Sequence, residues 1–251
     1  MSFVVPAVLP TSKQDLEEKL TLLTALPTVT RIQIDVVDGR FASPASWPYS
    51  AKATNGTPYL DSTGSPQAAP NEIDDMVARS EMLPALDRVE YEIDLMCLDT
   101  ERAVGAWLAL GASRLTFHAE SAVDLPRLLA SVRRRYGSDL VTLGLALNVA
   151  SDLSLIEPFL PHVAYVQFMG IANIGRQGQL FDQSVIERVR VFHVRHPEIP
   201  LQVDGGVSLA VAKKLLVQGA SSLVVGSAIL RANEPGVALA EFESLQTSYG
   251  V

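Results

Sequence analysis

Short apolar runs of strand length alternate with longer amphipathic segments along nearly the whole chain, and this alternation most constrains the fold. We count eight such pairs, an order typical of βαβ units built on a parallel sheet. Eight pairs in 251 residues predict a single (β/α)8 TIM barrel, because a doubly wound sheet normally has fewer strands or a second domain. The predicted strands span residues 3–9, 30–36, 89–96, 114–118, 140–148, 163–169, 200–204 and 222–226.

The segments between these strands carry apolar residues at i, i+3 and i+4 spacing, which predicts helices. The clearest helical patterns follow the first, third and seventh strands, at residues 13–26, 100–111 and 209–219. The last two end in glycine, a frequent helix terminator. We therefore expect one barrel domain over residues 1–251 and no second domain.

The segment 41–71 is too long for an ordinary connection between a strand and the next helix. It is rich in Pro, Ser, Thr, Gly and Asn, which predicts an inserted loop at the carboxyl end of the second strand. A disordered excursion is one interpretation. Its aromatic residues Trp47, Tyr49 and Tyr59 favour instead a lid or a contact between subunits.

Composition indicates the setting in which the chain works. A hydrophobic content of 48% supports a large core, and the longest apolar runs are shorter than the roughly 20 residues of a membrane span. The N-terminus lacks a signal-peptide pattern, and the single cysteine, Cys97, cannot form an internal disulfide. A net charge of −8 argues against broad contacts with nucleic acid. We expect a cytoplasmic protein without a membrane or nucleic-acid partner.

Polar residues recur near the carboxyl ends of the predicted strands, where barrel enzymes place their chemistry. Strand alternation puts Gln33 and Asp35 on one face of the second strand, opposite its isoleucines and valine. Asp94, His118 and Asp204 occupy corresponding places on other strands. Helix capping is the alternative role for one such residue, but their recurrence on several strands favours an active site.

Two glycine-rich turns, VDGGVS at 203–208 and VVGSAI at 224–229, follow the seventh and eighth strands and lead toward helices. Free backbone N–H groups in such turns bind phosphate, and barrels commonly use these two positions for it. Either turn alone is weak evidence. Together they predict a phosphate site.

These residues resemble the ribulose-phosphate 3-epimerases, a family of ribulose-phosphate-binding barrels. The resemblance covers nearly the whole chain and depends on the order of six motifs. These are IDVVDGRF at 34–41, DLM at 94–96, LTFHAES at 115–121, ANIGRQGQLF at 172–181, VDGGVS, and VVGSAIL at 224–230.

The resemblance implies roles for particular residues. Asp35 and Asp204 match the family's two acid/base aspartates, which also ligate a divalent metal. Such a pair suits the inversion of a carbon next to a carbonyl, because one base is needed on each face of a planar enediolate. The implied substrate is a phosphorylated sugar, and the implied assembly a homo-oligomer. The implied substrate and phosphate residues are Gly178, Gly205, Gly206, Gly226, Ser227, Met96, Met169 and His118.

The chain departs from the family where two metal-ligand histidines are usual. It reads Gln33-Ile34-Asp35 in the second strand and Asp94-Leu95-Met96 in the third, so both histidines are replaced. The implied metal ligands are then Gln33, Asp35, Asp94 and Asp204. Mg²⁺, Mn²⁺ or Zn²⁺ is the implied cofactor, and oxygen ligands suit the harder ions better. The alternative is a site without metal, in which a proton, Arg40 or Arg176 offsets the acids.

Three functions remain open on the sequence alone. The first is an isomerase that epimerises a ketose phosphate. The second is a barrel that binds phosphosugars without turnover, and the third is a lyase or synthase on the same scaffold. The related synthases and decarboxylases on this scaffold use an Asp-x-Lys-x-x-Asp motif. The corresponding stretch here, Asp35-Val36-Val37-Asp38, contains no lysine. The first interpretation is therefore favoured, and Asp38 is expected to order the turn that follows.

Overall fold

Eight parallel strands close into a barrel in a computed structural model that describes residues 3–50, 72–98, 100–137 and 140–245. Every strand pairs with its neighbours in chain order, and the first strand pairs with the eighth. The predicted (β/α)8 barrel is therefore confirmed. The strands are β1 (Val4–Val8), β2 (Arg31–Val37), β3 (Glu90–Met96), β4 (Arg114–His118), β5 (Thr142–Leu147), β6 (Tyr165–Met169), β7 (Leu201–Asp204) and β8 (Ser222–Val225).

Helices cover the outside of the barrel. Ser12 caps the first of them, because its hydroxyl accepts the backbone N–H of Asp15 at 3.1 Å. Gly111 and Gly219 follow the third and sixth helices at φ values of +103° and +102°, as the two predicted glycine stops require. The helices are α1 (Lys13–Thr24), α2 (Glu72–Ala78), α3 (Thr100–Ala109), α4 (Leu125–Tyr136), α5 (Ser184–Arg195), α6 (Leu209–Val217), α7 (Ser227–Leu230) and α8 (Pro235–Glu243).

The connection between β5 and β6 differs from the predicted pattern. Two 3-10 helices, Leu153–Leu155 and Glu157–His162, stand where an α-helix was expected. Pro158 and Pro161 lie in the second of them, and proline lacks the N–H that an α-helix interior needs. Among the described residues, no helix combines the length and apolarity that crossing a bilayer requires.

The first part of the predicted inserted loop, residues 41–50, packs against the core. Trp47 is 1% exposed and packs edge-to-face against Trp107 of α3, with ring centroids 5.8 Å apart. Its indole N–H donates to Glu72 at the start of α2. The expectation that Trp47 belongs to a lid or subunit contact is wrong, because its ring is already enclosed by this chain. Residues 51–71, including Tyr59, lie outside the described residues.

The interior of the barrel is polar along several strands. Gln33 and Asp35 share one face of β2, as predicted. That face points into the barrel, because Gln33 hydrogen bonds both to Asp35 and to Asp204 on β7. The isoleucines of β2 lie instead in the main hydrophobic cluster with helix residues such as Leu16 and Leu20. Register places Asp35 beside Asp94 and Met169 beside Asp204, so acids from three strands meet at one end.

A test of this packing uses Gly144 on β5, which pairs with Tyr165 on β6. A Cβ atom at Gly144 would lie 2.2 Å from the Tyr165 ring, which is held by Thr116 through a 2.6 Å hydrogen bond and stacks on Arg114. Since the ring has little freedom to move, we expect Gly144→Ala to lower the free energy of unfolding by about 1–3 kcal/mol in urea titrations.

The matched comparison adds Tyr165→Leu, alone and together with Gly144→Ala. Without the ring, the added methyl group should cost much less than it does in the wild-type background. Equal costs in the two backgrounds would mean that the ring is not the obstacle.

Candidate active site

A cleft opens at the carboxyl ends of the strands. It is bounded by Asp35 of β2, Asp204 at the end of β7 and the glycine-rich turns that follow β6, β7 and β8. The structure thereby brings together most of the predicted site. The predicted residues that line the cleft are Asp35, Met96, Met169, Gly178, Asp204, Gly205, Gly206, Gly226 and Ser227.

Three carboxylates gather at the floor of this cleft. Asp35, Asp94 and Asp204 each offer an oxygen atom, and these oxygens lie within 4.8 Å of one another. Asp35 and Asp204 are 7% and 8% exposed, whereas Asp94 is 0% exposed. Asp35 and Asp204 therefore border the cleft, and Asp94 lies buried beneath them.

Glutamine amides hold these acids in place. The side-chain nitrogen of Gln33 donates to Oδ1 of Asp35 at 2.8 Å and to Oδ2 of Asp204 at 2.9 Å. Gln167 donates from β6 to Oδ2 of Asp94 at 3.0 Å. Gln33 was expected to be an oxygen ligand for a metal, but the structure turns its nitrogen to the carboxylates. The group that could hold a metal therefore consists of the three aspartates.

The pKa values of the two acids at the cleft are raised. Burial raises the pKa of Asp35 well above its ordinary value, and the charges of Asp204 and Asp94 raise it further against the opposing effect of Gln33. Burial and the charge of Asp94 raise the pKa of Asp204 to about 7. Near neutral pH the pair is therefore poised to share a proton, which suits acid and base roles.

His118 lies beneath the cleft and does not line it. Its imidazole is 0% exposed and pairs with Oδ1 of Asp94 at 3.0 Å, while the Phe41 ring lies 5.3 Å away, centroid to centroid. Although burial lowers the pKa of His118, the charge and hydrogen bond of Asp94 raise it overall. The expectation that His118 contacts substrate is corrected, because its buried ring lies against Asp94 and outside the residues that line the cleft.

The turn after β7 has a backbone that admits only glycine. Gly205 and Gly206 have φ values of +102° and +69°. A Cβ atom at Gly206 would lie 2.8 Å from the backbone of Phe181 in the loop after β6. The glycines thus bring this loop and the turn into direct contact along one wall of the cleft.

The turn after β8 forms the neighbouring wall. Gly226 is followed directly by α7, which begins at Ser227, and the first N–H groups of a helix have no partners within it. Gln177, which was not among the predicted residues, reaches this turn from the loop after β6. Its amide nitrogen is buried without a hydrogen-bond partner among the described residues, 2.7 Å from where a Cβ of Gly226 would lie.

The other charged candidates lie outside the acid cluster. Arg40 is exposed, and Arg176 donates to the backbone oxygen of Ser43 at 3.0 Å while lining the cleft. Asp38 orders the turn after β2, as predicted, because its Oδ1 accepts the N–H groups of Arg40 and Phe41, both at 2.8 Å. Among the described residues, the side chains that hydrogen bond the three acids are Gln33, His118 and Gln167.

Sequence reasoning missed Gln167, and a signal for it exists. In β2, β6 and β7 a glutamine stands two residues before a residue of the cleft: Gln33 before Asp35, Gln167 before Met169, and Gln202 before Asp204. A period of two places both members of each pair on the inward face. A buried glutamine at that position therefore marks the layer beneath the site.

The donor set suits a hard divalent cation. Among the described residues, side-chain hydrogen bonds engage Oδ1 of Asp35 and Oδ2 of Asp204. A carboxylate offers about four acceptor positions, so both acids keep positions for an ion. Mg²⁺ and Mn²⁺ prefer such oxygen ligands. The acidic cluster could therefore hold one such ion.

The closed barrel, with its acids and glycine turns at the carboxyl ends of the strands, defines a (β/α)8-barrel protein that carries its site at that face. A model of the ribulose-phosphate 3 epimerase family matches residues 72–230. The chain belongs to this family.

Curated relatives agree with this assignment. Ribulose-phosphate 3-epimerases of Schizosaccharomyces pombe and Escherichia coli K12 are 26% and 30% identical, over 58% and 55% of this chain and 61% of each relative. The chloroplastic ribulose-5-phosphate-3-epimerase of Arabidopsis thaliana is 27% identical over 81% of this chain and 63% of the relative. The chain thus spans about three fifths of the length of these relatives.

Solved structures with little sequence similarity share the fold. The 3-hexulose-6-phosphate synthase from Salmonella typhimurium has a TM-score of 0.65 at 13% identity, covering 99% of this chain and 100% of that one. KGPDC from Streptococcus mutans has a TM-score of 0.64 at 12% identity, covering 99% of this chain and 99% of that one. Identities this low show a shared fold only.

The raised pKa values predict how stability changes with pH in the metal-free protein. The folded state holds the protons of Asp35 and Asp204 more tightly than the unfolded state does. The stability that these protons contribute is therefore fully present below about pH 4 and is lost as pH rises through the folded pKa, about 7 for Asp204. Asp204→Asn removes the contribution of Asp204 to this pH dependence. Between about pH 5 and pH 8, we expect the free energy of unfolding of this variant to rise by about 1 kcal/mol or more relative to that of the wild type.

Denaturant unfolding in the presence of a chelator measures this difference. Asp182→Asn is the control, because Asp182 is an acid whose pKa is lowered by Ser184 and should show no such gain. A constant difference between wild type and Asp204→Asn across this range would contradict the raised pKa.

Proposed function

We propose that this protein is an isomerase that inverts the carbon next to the carbonyl of a ketose phosphate by proton transfer between Asp35 and Asp204. The observation that carries the proposal is the pair of buried acids with raised pKa values at one cleft, beside glycine turns suited to phosphate. Membership of the epimerase family supports it.

The two acids provide the proton balance that the reaction needs. One ionised carboxylate removes the proton from the carbon and becomes neutral. The other carboxyl group, already protonated, returns a proton to the opposite face of the enediolate and becomes ionised. Two carboxyls with raised pKa values, coupled by mutual repulsion, favour one shared proton at neutral pH.

The hydrogen bonds indicate which oxygens act. Gln33 occupies Oδ1 of Asp35 and Oδ2 of Asp204. We infer that Oδ2 of Asp35 and Oδ1 of Asp204 exchange protons with the substrate. The glycine turns after β7 and β8 bind the phosphate through backbone N–H groups, and Met96 and Met169 supply an apolar wall that limits water.

A divalent cation is part of the proposal. Asp35, Asp94 and Asp204 would hold it, with Mg²⁺ or Mn²⁺ favoured over Zn²⁺ because every ligand is a carboxylate oxygen. When bound, the ion supplies positive charge near the oxygen that becomes negative in the enediolate. His118 and Gln167 hold Asp94 in place for this role.

Exchange of the C3 proton tests the chemistry. Deuterium entry from D₂O into C3 of ribulose 5-phosphate is followed by NMR, first in metal-free protein and then with Mg²⁺, Mn²⁺ or Zn²⁺. We expect exchange in the wild type, and a loss of about 100-fold or more in Asp35→Asn and in Asp204→Asn, because each removes an acid/base group.

Asp38→Asn is the matched control at the same strand end. Asp38 is 7% exposed, like Asp35, but its carboxylate orders backbone N–H groups instead of facing the cleft. It should retain exchange within about threefold of wild type, because it removes no proton-transfer group. Sugar-phosphate binding without exchange under any metal would refute the isomerase and favour a binding barrel.

Mn²⁺ titration followed by electron paramagnetic resonance tests the cation site separately. We expect one ion per chain, with binding weakened about 10-fold or more in Asp94→Asn because a ligand is lost. Binding should weaken as pH falls below about 7, since Asp204 must lose its proton to bind the ion. Affinity that is unchanged in Asp94→Asn would place the ion elsewhere.

A further inference from the structure

A layer of buried amides separates the acids from the lower half of the barrel. It consists of Gln33 on β2, Gln167 on β6 and Gln202 on β7, which we call the glutamine layer. Their side chains are no more than 2% exposed. Such groups are costly to bury unless hydrogen bonding fixes them, so their orientation is a property of the fold.

Gln202 stands at the centre of the layer. Its amide nitrogen faces three acceptors: Oε1 of Glu92 at 2.6 Å, Oε1 of Gln167 at 2.8 Å and Oε1 of Gln33 at 3.3 Å. An NH₂ group has two hydrogens, so the two shorter contacts are the stronger ones. Its own carbonyl oxygen is buried without a hydrogen-bond partner among the described residues.

Glu92 determines which way the Gln202 amide points. This carboxylate is 0% exposed and receives Nε of Arg114 at 3.0 Å, with Arg31 at 3.9 Å. If the Gln202 amide turned over, its carbonyl oxygen would face the Glu92 carboxylate and two amide oxygens. The repulsion between these oxygens excludes that orientation.

The orientation of the Gln202 amide determines the orientations of the other two glutamine amides. Because their oxygens face its nitrogen, the nitrogens of Gln33 and Gln167 point the opposite way, toward the acids. Gln33 then donates to Asp35 and Asp204, and Gln167 donates to Asp94 at 3.0 Å and to Asp204 at 3.5 Å. Each acid of the cluster therefore receives a donor whose direction is determined one layer below.

We propose that Gln202 is a positioning residue for the proton-transfer acids, acting through Gln33 and Gln167. It touches neither the cleft acids nor substrate, and its function is to select the amide orientation that presents donors to Asp35, Asp94 and Asp204. This inference rests on the proposed function only for its effect on turnover. The orientation of the amides is a separate and measurable claim.

Two variants separate this role from a structural one. Gln202→Met keeps a similar unbranched shape and removes both the donor and the acceptor. Gln202→Leu removes the same two groups with a shorter side chain and shows whether the effect follows the lost amide. We expect exchange at C3 to fall about 10-fold to 100-fold in Gln202→Met and in Gln202→Leu.

The loss should appear in kcat and not in KM. Among the described residues, no side-chain hydrogen bond joins the glutamine layer to the glycine turns proposed to bind phosphate, so KM should stay close to the wild-type value. Thr116→Val is the matched control, because Thr116 donates to the same Oε1 of Glu92 at 3.0 Å but contacts none of the three amides. It should leave kcat unchanged.

NMR of the side-chain amides tests the orientation directly in the wild-type protein. The amide protons of Gln33 should show nuclear Overhauser contacts with the methylene of Asp35, and those of Gln167 with the methylene of Asp94. Gln202→Met should shift both sets of resonances and weaken Mn²⁺ binding. Contacts of the same protons with Glu92 would overturn the proposal without any variant.

The outcomes for the two proposals are distinguishable. A wild type without exchange would defeat the proposed function, while the amide contacts and Mn²⁺ affinity would still decide the role of Gln202. Exchange in Gln202→Met with wild-type kcat would overturn the positioning role while leaving the epimerase intact. If both variants fail to fold, the contacts in the wild type decide.

Discussion

Three carboxylates within 4.8 Å, in the interior of a barrel, impose the constraint on which the rest of the site depends. Two such charges about 4 Å apart repel by roughly 4 kcal/mol at an effective dielectric near 20. The fold offsets this with an imidazole beside Asp94, amide donors from β2 and β6, and protons held at raised pKa values. The arrangement that offsets the repulsion between the carboxylates also sets their pKa values in a range suited to proton transfer.

The barrel could be predicted from the sequence because each strand carries its own local signal. Predicted and observed strand ends agree within two residues, from β1 at Val4–Val8 to β8 at Ser222–Val225. The connection between β5 and β6 was mispredicted, since an amphipathic pattern does not reveal how its two prolines divide the segment. The inward burial of Trp47 depends on contact with Trp107, which is distant in sequence.

The site was predictable in its members and less so in its contacts. Motif order located Asp35, Asp204 and the glycine turns, which line one cleft. The orientation of Gln33 was not accessible, because it depends on Gln202 across the barrel and on the charge of Glu92 beneath it. His118 shows the same limit: its strand and position were correct, but burial behind Asp94 determines its contacts.

The approach of Gln177 to Gly226 links two segments that are distant from each other in the chain. The long side chain of Gln177 occupies the space that a methyl group at Gly226 would need. A methyl group at Gly226 would therefore require the end of the Gln177 side chain to turn away, which a flexible glutamine can do. A substitution in the turn after β8 would thus change the conformation of a side chain in the loop after β6.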